Sequence, residues 1–515
     1  MKTRPVAVSR FQCFIALAAA VCLLMTGNVA WAGSLKITVT GADGKPLPCR
    51  IHLTDAAGQP VRAAGLPFWK DHFVCPGTAK VSVEAGKYTL EVERGPEFER
   101  YAAEVNVGKN ADGAVALTLK RIVDLSATGW HSGDLHVHRK PEEVELLMQA
   151  EDLDVAPVIT WWNNRNLWKD RVLPKKPLVR FDGNRYYHLL GGEDEREGGA
   201  LLYFGLDRPL EITGSSREYP SPMKFVVQAH QNKRVWIDIE KPFWWDVPIW
   251  LASGQMHSIG LANNHMCRSR MYESEAWGRP RDEKRLPAPR GNGFWTQEIY
   301  YHILNCGIRL PPSAGSASGV LPNPVGYNRV YVHTGKTLDY DDWWKGLKAG
   351  RSFVTNGPLL IVKADDHLPG HVFQVEAGVK LEIPLSMSLT TLDDVPALEI
   401  IKNGRVERRI SLREATKEGA GSVTFKESGW FLVRAIADHP RTFRFASTAP
   451  FYVEVGKTKR RISRQSVKFF IDWVAERAKR VPIKLSDIDK QQEVLVYHVA
   501  AARFWNAKLA AANAD

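Results

Sequence analysis

The stretch WHSGDLHVHR contains three side chains that can hold metals or protons, Asp134, His136 and His138, at alternate positions. Alternate residues of a β-strand point to the same face, so the pattern predicts a carboxylate and two imidazoles side by side. Imidazole and carboxylate ligands suit zinc, iron or manganese, and Asp134 would bind directly or orient a ligating histidine. The alternative interpretation is a polar strand end.

Further ligand-type residues follow apolar strands later in the chain. Glu193 lies in LLGGEDER, Asp238 and Glu240 lie in VWIDIEKPFWWD, and His265 lies in GLANNHM. Taken singly, an acidic residue after a strand is often a helix cap, and a lone histidine is more often structural than ligating. Together they favour a site at the carboxyl ends of the strands of an α/β barrel.

The elements that would position these residues divide the chain into four parts after the N-terminus. Short alternating runs with turn residues predict an antiparallel β-sandwich over 33–120. Strands that alternate with helices predict an α/β unit over 121–360. Alternation returns over 361–455 as a second β-sandwich, and 456–515 has helical periodicity. We therefore expect a multidomain fold that combines an α/β barrel with all-β domains and a helical tail.

Residues 1–32 have the pattern of a secretory signal peptide. Basic residues precede the apolar run FIALAAAVCLLM, and the small-x-small motif AWA follows it. The alternative is a retained membrane anchor, but the run is shorter than the roughly 20 residues that a spanning helix needs. We expect cleavage and a periplasmic or secreted protein without a stable membrane span.

Four cysteines lie beyond this segment. Cys49 and Cys75 fall in the first predicted sandwich and could form a disulfide in an oxidising compartment. For Cys267 and Cys306, burial as free thiols is as good an interpretation as pairing. None has CxxC spacing, so a structural zinc knot is not indicated.

The formal charge of +12 does not indicate a nucleic-acid ligand. Loss of the three basic residues of 1–32 lowers it to +9, and 456–515 holds 13 Lys and Arg against 6 Asp and Glu, a local +7. No base-reading motif accompanies this tail, so a solvated helix face is the favoured interpretation.

At this point the residues resemble a family. GDLHVHR, then GGE, a strand with an acidic-x-Pro step, and GLANNH are similar to the PHP (polymerase and histidinol phosphatase) superfamily, above all its CehA/McbA branch of metallohydrolases. NCGIRLPPSAGS, VGYNRVYVH and WWKGLKAGRSFVTNGPLL resemble the later part of that branch. The resemblance covers 121–360. It implies a distorted barrel of about seven strands alternating with helices, with metal ions at the strand ends.

Matched position by position, the resemblance assigns metal ligands and also shows departures. It implies the ligands His136, His138, Glu193 and His265, and Glu240 is a further candidate ligand. Where the family has His before Pro, this chain has Lys241. Where the family has AGSDxH, Ala317 replaces the Asp and Gly319 replaces the His. The remaining ligands suit one or two divalent ions, zinc, manganese or iron.

The implied chemistry is hydrolysis of phosphoesters or of carboxyl and carbamate esters, with metal-bound hydroxide as the nucleophile. A metal with an open position lowers the pKa of water toward roughly 7. Asp134 would orient a histidine, while Asp238 or Lys241 would serve the proton or the oxyanion. Arg139, Trp244 and Trp245 are candidates for substrate binding.

The alternative function is a degenerate barrel that binds a carbohydrate or another ligand without turning it over. Tryptophan pairs at 161–162, 244–245 and 343–344 offer aromatic planes that would stack on sugar rings, although core packing is the favoured interpretation of such residues. A small-molecule or glycan-linked ester is the expected partner under either function, and a role in glycan metabolism fits both.

Overall fold

A computed structural model describes residues 32–109, 112–415 and 421–515. The chain is mostly sheet with few helices, divided among several sheets, and it ends in a pair of long helices. The predicted signal segment lies outside the described residues except for Ala32, which begins the first strand. Among the helices of the described ranges, none is both long and apolar enough to cross a membrane.

The N-terminal unit consists of two sheets around one apolar core. Its strands are β1 Ala32–Thr40, β2 Cys49–Asp55, β3 Phe68–Trp69, β4 His72–Cys75, β5 Thr78–Glu84, β6 Gly86–Glu93, β7 Tyr101–Val107 and β8 Asp112–Thr118. One sheet has the order β5-β1-β8 and the other β3-β4-β2-β6-β7. The expectation of a wholly antiparallel sandwich is wrong for β1 and β8, which pair in parallel. The chain passes through the other sheet between them, so they can run in the same direction.

The central region contains the candidate site residues. Its strands are β9 Trp130–Gly133, β10 Val155–Trp162, β11 Arg165–Asn166, β12 Leu178–Phe181, β13 Arg185–Arg196, β14 Gly199–Phe204, β15 Trp236–Ile239, β16 Ser258–Ala262, β17 Pro312–Ala314, β18 Arg329–His333 and β19 Ser352–Thr355. Its helices are α1 Val144–Ala150, α2 Pro222–Ala229, α3 Val247–Ser253, α4 Gly291–Asn305 and α5 Tyr340–Lys348, with 3₁₀ turns at Ser126–Thr128 and Pro141–Glu143.

Parallel pairing brings the ends of several central strands to one edge. Strands β9, β10 and β13 run parallel, as do β15, β16 and β17, and β14 joins the two groups by antiparallel pairing on both sides. β18 pairs with β9, so these strands belong to a sheet that closes on itself. The carboxyl ends of the parallel strands therefore point toward one pole, which is where the ligand-type residues follow them.

The third region packs a three-stranded sheet against strands that continue the central sheet. Its elements are β20 Leu359–Ala364, β21 Val372–Val375, β22 Leu381–Thr390, β23 Ala397–Lys402, β24 Arg405–Ser411, α6 Leu412–Ala415, β25 Gly421–Phe425, β26 Gly429–Ile436, β27 Phe445–Thr448 and β28 Phe451–Val455. The separate sheet has the order β20-β22-β25 and shares one buried core with the strands opposite. β27 pairs with β19, so this region is joined directly to the centre.

The C-terminal helices α7 Arg464–Lys484 and α8 Ile488–Ala510 are packed into the central core. Trp473 and Trp505 are fully buried, and the indole of Trp505 donates to the Pro248 carbonyl at 3.0 Å. Arg477 is also buried, paired with Asp246 at 2.6 Å and with Glu218 at 2.8 Å. The basic residues Arg464, Lys468 and Lys479 are exposed, as expected of a solvated helix face, and the apolar face of the same helices attaches them to the centre.

Cys49 and Cys75 occupy directly opposed positions of β2 and β4. They are buried free thiols whose Sγ atoms lie 3.7 Å apart. Cys267 and Cys306 are also buried and free.

Candidate metal centre

Three of the expected ligands converge on one point. Nε2 of His136 lies 2.9 Å from Nε2 of His138. The Glu193 carboxylate reaches both, at 3.5 Å from His136 Nε2 and 3.0 Å from His138 Nε2. All three side chains are almost entirely buried. Together they form a group of ligand atoms within 4.8 Å of one another, which could hold a metal ion.

The electrostatics of this cluster fit a cation. Burial lowers the pKa of His136, but the carboxylates of Glu193 and Glu240 outweigh it and raise the pKa to about 10. Burial opposes ionisation of Glu193, yet the two histidines hold its pKa well below the usual range. Two facing ring nitrogens at this distance cannot both be unprotonated, so either one of them donates an N–H to the other or a cation lies between them. A divalent ion bound by both nitrogens and by Glu193 would fill this role.

Glu240 contacts the other side of the first histidine. Its Oε1 lies 3.4 Å from His136 Nδ1, whereas the ligand cluster uses Nε2. The same carboxylate accepts from Lys241 at 2.5 Å, Asn264 at 2.8 Å and the Trp244 indole at 2.8 Å. Burial works against its charge, but Lys241 and His136 lower its pKa to about 2. Glu240 thus orients His136, which is how carboxylates support metal-binding histidines, and it is not part of the three-residue cluster.

Asp134 does not face the cluster. The regular strand ends at Gly133, so the alternation that would align Asp134 with the histidines stops there. Its Oδ1 accepts from the backbone N–H of His136 at 2.9 Å and of Ser316 at 3.0 Å, and its Oδ2 accepts from Gly326 at 2.7 Å. This carboxylate therefore ties three backbone segments together, and the proposed role of orienting a histidine ring is wrong.

Asp238 and Lys241 are each held by buried partners. Asp238 is buried and accepts from the hydroxyls of Ser258 and Ser313, the latter at 2.5 Å. Burial without a neighbouring cation in direct contact raises its pKa to about 7. Lys241 is bound to Glu240 and lies over the Trp244 ring at 4.6 Å.

His265 lies apart from the three-residue cluster. Its ring packs against Phe243 at 5.4 Å and Tyr272 at 5.5 Å between centroids. Burial, followed by the charge of Lys241, lowers its pKa to about 3, so the imidazole is neutral. Its buried Nδ1 has no hydrogen-bond partner among the described residues. The structure therefore leaves His265 as a neutral imidazole near Glu240, with a backbone contact to Ser274 and an unpaired Nδ1.

The loop that departs from the family pattern is packed directly against the histidines. A Cβ on Gly315 would lie 2.5 Å from the Cβ of His136. Gly319 has φ +101°, and a Cβ there would lie 2.5 Å from the carbonyl oxygen of His138. Ala317 is buried, also at positive φ. In this backbone conformation no histidine fits at 319, the position at which the resemblance would place one.

A cavity of about 450 Å³ opens beside His138. Arg139, a candidate for substrate binding, lines it. Trp244 and Trp245 do not, because they are 1% and 2% exposed and belong to the core. The expectation that they stack on a substrate is wrong: packing against neighbouring elements covers both rings. Trp162 lines the cavity instead, with its ring 5.1 Å from that of His138.

Sequence reasoning also missed Glu195. It follows Glu193 by two positions in β13, so both carboxylates point to the same face. Burial, followed by the charge of Glu193, raises the pKa of Glu195 to about 7. Asn163 accepts from its backbone N–H, but among the described residues no group binds its carboxylate. The spacing GGEDER was the available signal.

A second group of potential ligands, His52, Asp71 and His72, lies in the N-terminal unit. Here each histidine already has a partner: Nδ1 of His72 lies 2.8 Å and Nδ1 of His52 lies 3.4 Å from the Asp71 carboxylate. Arg50 Nε donates to His52 Nε2 at 3.0 Å. A neutral His52 then carries its proton on Nδ1, the atom a metal would need. This cluster could bind a metal, but its atoms are satisfied without one, so the first cluster is favoured.

Comparisons with known proteins give no family. No protein-family model matches the chain, and no curated protein matches it. Among solved structures, the Bacillus anthracis TIE protein is 9% identical with a TM-score of 0.14, covering 83% of this chain and 51% of that one. The N-terminal four Ig domains of Dscam1 isoform 4.44 are 6% identical with a TM-score of 0.14, covering 82% and 73%. The chain thus spans about half the length of the TIE protein, and likenesses this weak carry no argument about fold or function.

Proposed function

We propose that this protein is an exported, metal-dependent hydrolase of phosphoester or carboxyl and carbamate ester bonds, built on a PHP-like barrel. The observation that carries the proposal is the convergence of His136, His138 and Glu193 beside an open cavity. Parallel strands whose carboxyl ends meet at this pole support the barrel, since enzymes of that architecture place their sites there. The proposed substrate is a small-molecule or glycan-linked ester.

Each residue in and around the cluster would have its own role in hydrolysis. His136, His138 and Glu193 would hold the metal, and Glu240 fixes the His136 ring through Nδ1. A divalent ion bound here supplies a lowered pKa for water and a positive charge near the reacting carbonyl or phosphoryl oxygen. Glu195, on the same strand face as the ligand Glu193, would share the proton-transfer role expected of Asp238 or Lys241, because a carboxyl whose pKa is about 7 can both accept and release a proton near neutral pH.

The test is hydrolysis by protein stripped with a chelator and then reloaded separately with zinc, manganese or iron. We expect turnover of 4-nitrophenyl phosphate or 4-nitrophenyl acetate only after reloading, and at least a hundredfold loss in Glu193→Gln. Glu298→Gln, which changes a surface carboxylate paired with Arg285, is the matched control and should retain full rate. Metal-loaded protein without turnover of any ester or phosphoester would contradict the proposal.

The second candidate is a binding protein that no longer turns over its ligand. It is favoured by Gly319 and Ala317, which cannot supply the ligands of the related motif, and by Lys241, whose charge neutralises Glu240. Under this alternative, ligand binding persists in Glu195→Gln and Glu193→Gln and no ester is hydrolysed. Under the hydrolase proposal, Glu195→Gln lowers kcat and removes an inflection near pH 7 from its pH profile.

A further inference from the structure

The cavity beside His138 is built by two parts of the chain. One wall comes from the β3–β4 hairpin of the N-terminal unit through Phe68 and Trp69, and the other from the central region. The indole of Trp69 donates to the carbonyl of Leu321 at 2.7 Å, in the loop that also packs against His138. The hairpin is thus held in place over the candidate metal centre, and half-buried Trp69 and Trp162 present ring surface to the cavity.

Positive charge dominates the walls. The charged side chains are Arg139, Lys140, Arg165 and Arg171 against Glu142 and Glu143. Arg139 and Glu143 neutralise each other through a bond of 2.7 Å. Among the described residues, Arg165 and Arg171 form no ion pair with a carboxylate. The cavity therefore keeps an excess of cationic groups directly beside a metal site.

Arg139 and Arg165 each lie over a tryptophan ring, but only Arg139 is paired with a carboxylate. The guanidinium of Arg139 lies 5.5 Å from the Trp69 ring centre, and that of Arg165 lies 5.3 Å from the Trp162 ring centre. A guanidinium attracted to the face of an aromatic ring can still direct its N–H groups to a planar or tetrahedral oxyanion. For Arg139 those groups are bound to Glu143. For Arg165 no carboxylate of the described residues binds them.

We propose that the substrate carries an anionic group recognised by Arg165, with an adjoining ring or flat portion against Trp69 and Trp162. The ligand class is an aryl- or sugar-linked phosphate, sulfate or carboxylate, and Arg165 determines the preference for the charged over the neutral form. Arg171 adds a second cation at the cavity rim. This inference rests on the proposed function only for the location of the site, because His138 belongs to both the metal cluster and the cavity wall.

The test is calorimetric titration with 4-nitrophenyl phosphate, 4-nitrophenyl sulfate and 4-nitrobenzoate, with neutral 4-nitroanisole as the uncharged probe. Wild-type protein should bind at least one anion and bind 4-nitroanisole more weakly. Arg165→Gln should weaken anion binding about tenfold or more, since charge-assisted hydrogen bonds of this kind are lost. It should leave 4-nitroanisole binding within about twofold. The ranking of the three anions identifies the charged group that the site prefers.

Arg180→Gln is the matched control, because Arg180 is an exposed arginine that also lies over an aromatic ring, 5.7 Å from Tyr186, outside the cavity. It should bind every probe as the wild type does. Equal weakening in both variants, no weakening in Arg165→Gln, or no anion binding to the wild-type protein would each overturn the inference.

Failure of the inference can be told apart from failure of the proposed function. The same titrations in Glu193→Gln measure recognition in a protein expected to lack turnover. Anion binding that depends on Arg165 in a protein that neither holds metal nor hydrolyses esters would retain the ligand class and reject the hydrolase. If Arg165→Gln leaves turnover of both neutral and anionic esters unchanged, the hydrolase would be retained and the proposed ligand class rejected.

Discussion

The Nε2 atoms of His136 and His138 face each other at 2.9 Å, and the Glu193 carboxylate lies within 3.5 Å of both. One residue, Leu135, separates His136 from Asp134, a buried carboxylate that accepts from the backbone N–H groups of His136, Ser316 and Gly326. One short stretch thus contains both the candidate ligands and the anchor that fixes their loop. Binding chemistry and local stability are therefore closely linked in this part of the chain.

Glu240 is expected to tune metal affinity without binding the metal. Glu240→Gln should weaken metal binding about 10- to 100-fold, because the His136 ring loses the negative charge that faces Nδ1 and raises its basicity. The same change leaves the Lys241 charge buried without its partner and should lower the free energy of unfolding by about 3 kcal/mol. Competition with a metal-sensitive dye measures the first effect, and urea unfolding of the metal-free protein measures the second.

A double variant separates those two effects. Glu240→Gln combined with Lys241→Met removes the orphaned charge and should recover most of the lost stability, while metal binding stays weak. Recovery of metal affinity in the double variant would show that Glu240 acts through stability alone.

The raised pKa of Asp238 predicts that the free energy of unfolding falls as pH rises. Its pKa is raised to about 7 in the folded protein, so the folded state binds the proton more tightly than the unfolded state does. Unfolding free energy should therefore decrease between about pH 4 and pH 7, by up to about 1.4 kcal/mol per pH unit from this group. In metal-free protein, Asp238→Asn should flatten this slope. Guanidinium unfolding at a series of pH values measures it, and an unchanged slope would contradict the assignment.

The conformation at Gly319 predicts that a histidine placed there, as in the AGSDxH motif, will not bind metal. Gly319→Ala should lower the free energy of unfolding by at least about 2 kcal/mol, because the new Cβ meets the His138 carbonyl and the backbone has positive φ. Gly335→Ala is the control, since Gly335 also has positive φ but a Cβ there meets nothing within 4 Å. Gly319→His should add no metal. A second equivalent of metal in Gly319→His would refute this geometry.

Much of the fold followed from local patterns, whereas several roles in the site did not. Alternating apolar residues predicted the β-rich character, and helical periodicity predicted the C-terminal pair. The convergence of His136, His138 and Glu193 matched expectation because strand ends of a parallel sheet meet at one edge. The net charge of the tail did not reveal how the tail packs. Its contact with the core is made by buried residues such as Trp473 and Trp505.

The errors concern residues whose partners are distant in sequence. Asp134 is bound by Ser316 and Gly326, whose positions no local pattern reveals. From the sequence, Trp244 was a candidate for stacking on a substrate. In the structure neighbouring elements bury it, and its indole N–H donates to Glu240. Trp162 and its neighbour Trp161 differ only in which one the core covers. Side-chain exposure depends on tertiary packing, which composition and spacing do not specify.

The buried cation of the C-terminal helix should be necessary for stability. Arg477→Met leaves Asp246 and Glu218 without their shared partner and should lower the free energy of unfolding by about 3 to 5 kcal/mol. Lys479→Met, at an exposed position of the same helix, should change it by less than about 0.5 kcal/mol. Thermal unfolding of both variants checks this, and equal effects would argue that the tail packs only through apolar contacts.

Metal content, measured by elemental mass spectrometry on purified protein, tests the central claim most directly. The comparison needs wild type, the double variant His136→Ala/His138→Ala and the matched control His52→Ala/His72→Ala, each checked for folding by circular dichroism. We predict near-stoichiometric zinc, manganese or iron in the wild type and the control, and its loss in His136→Ala/His138→Ala. Folded wild-type protein without metal after incubation with each ion, or metal that disappears only from His52→Ala/His72→Ala, would contradict the account.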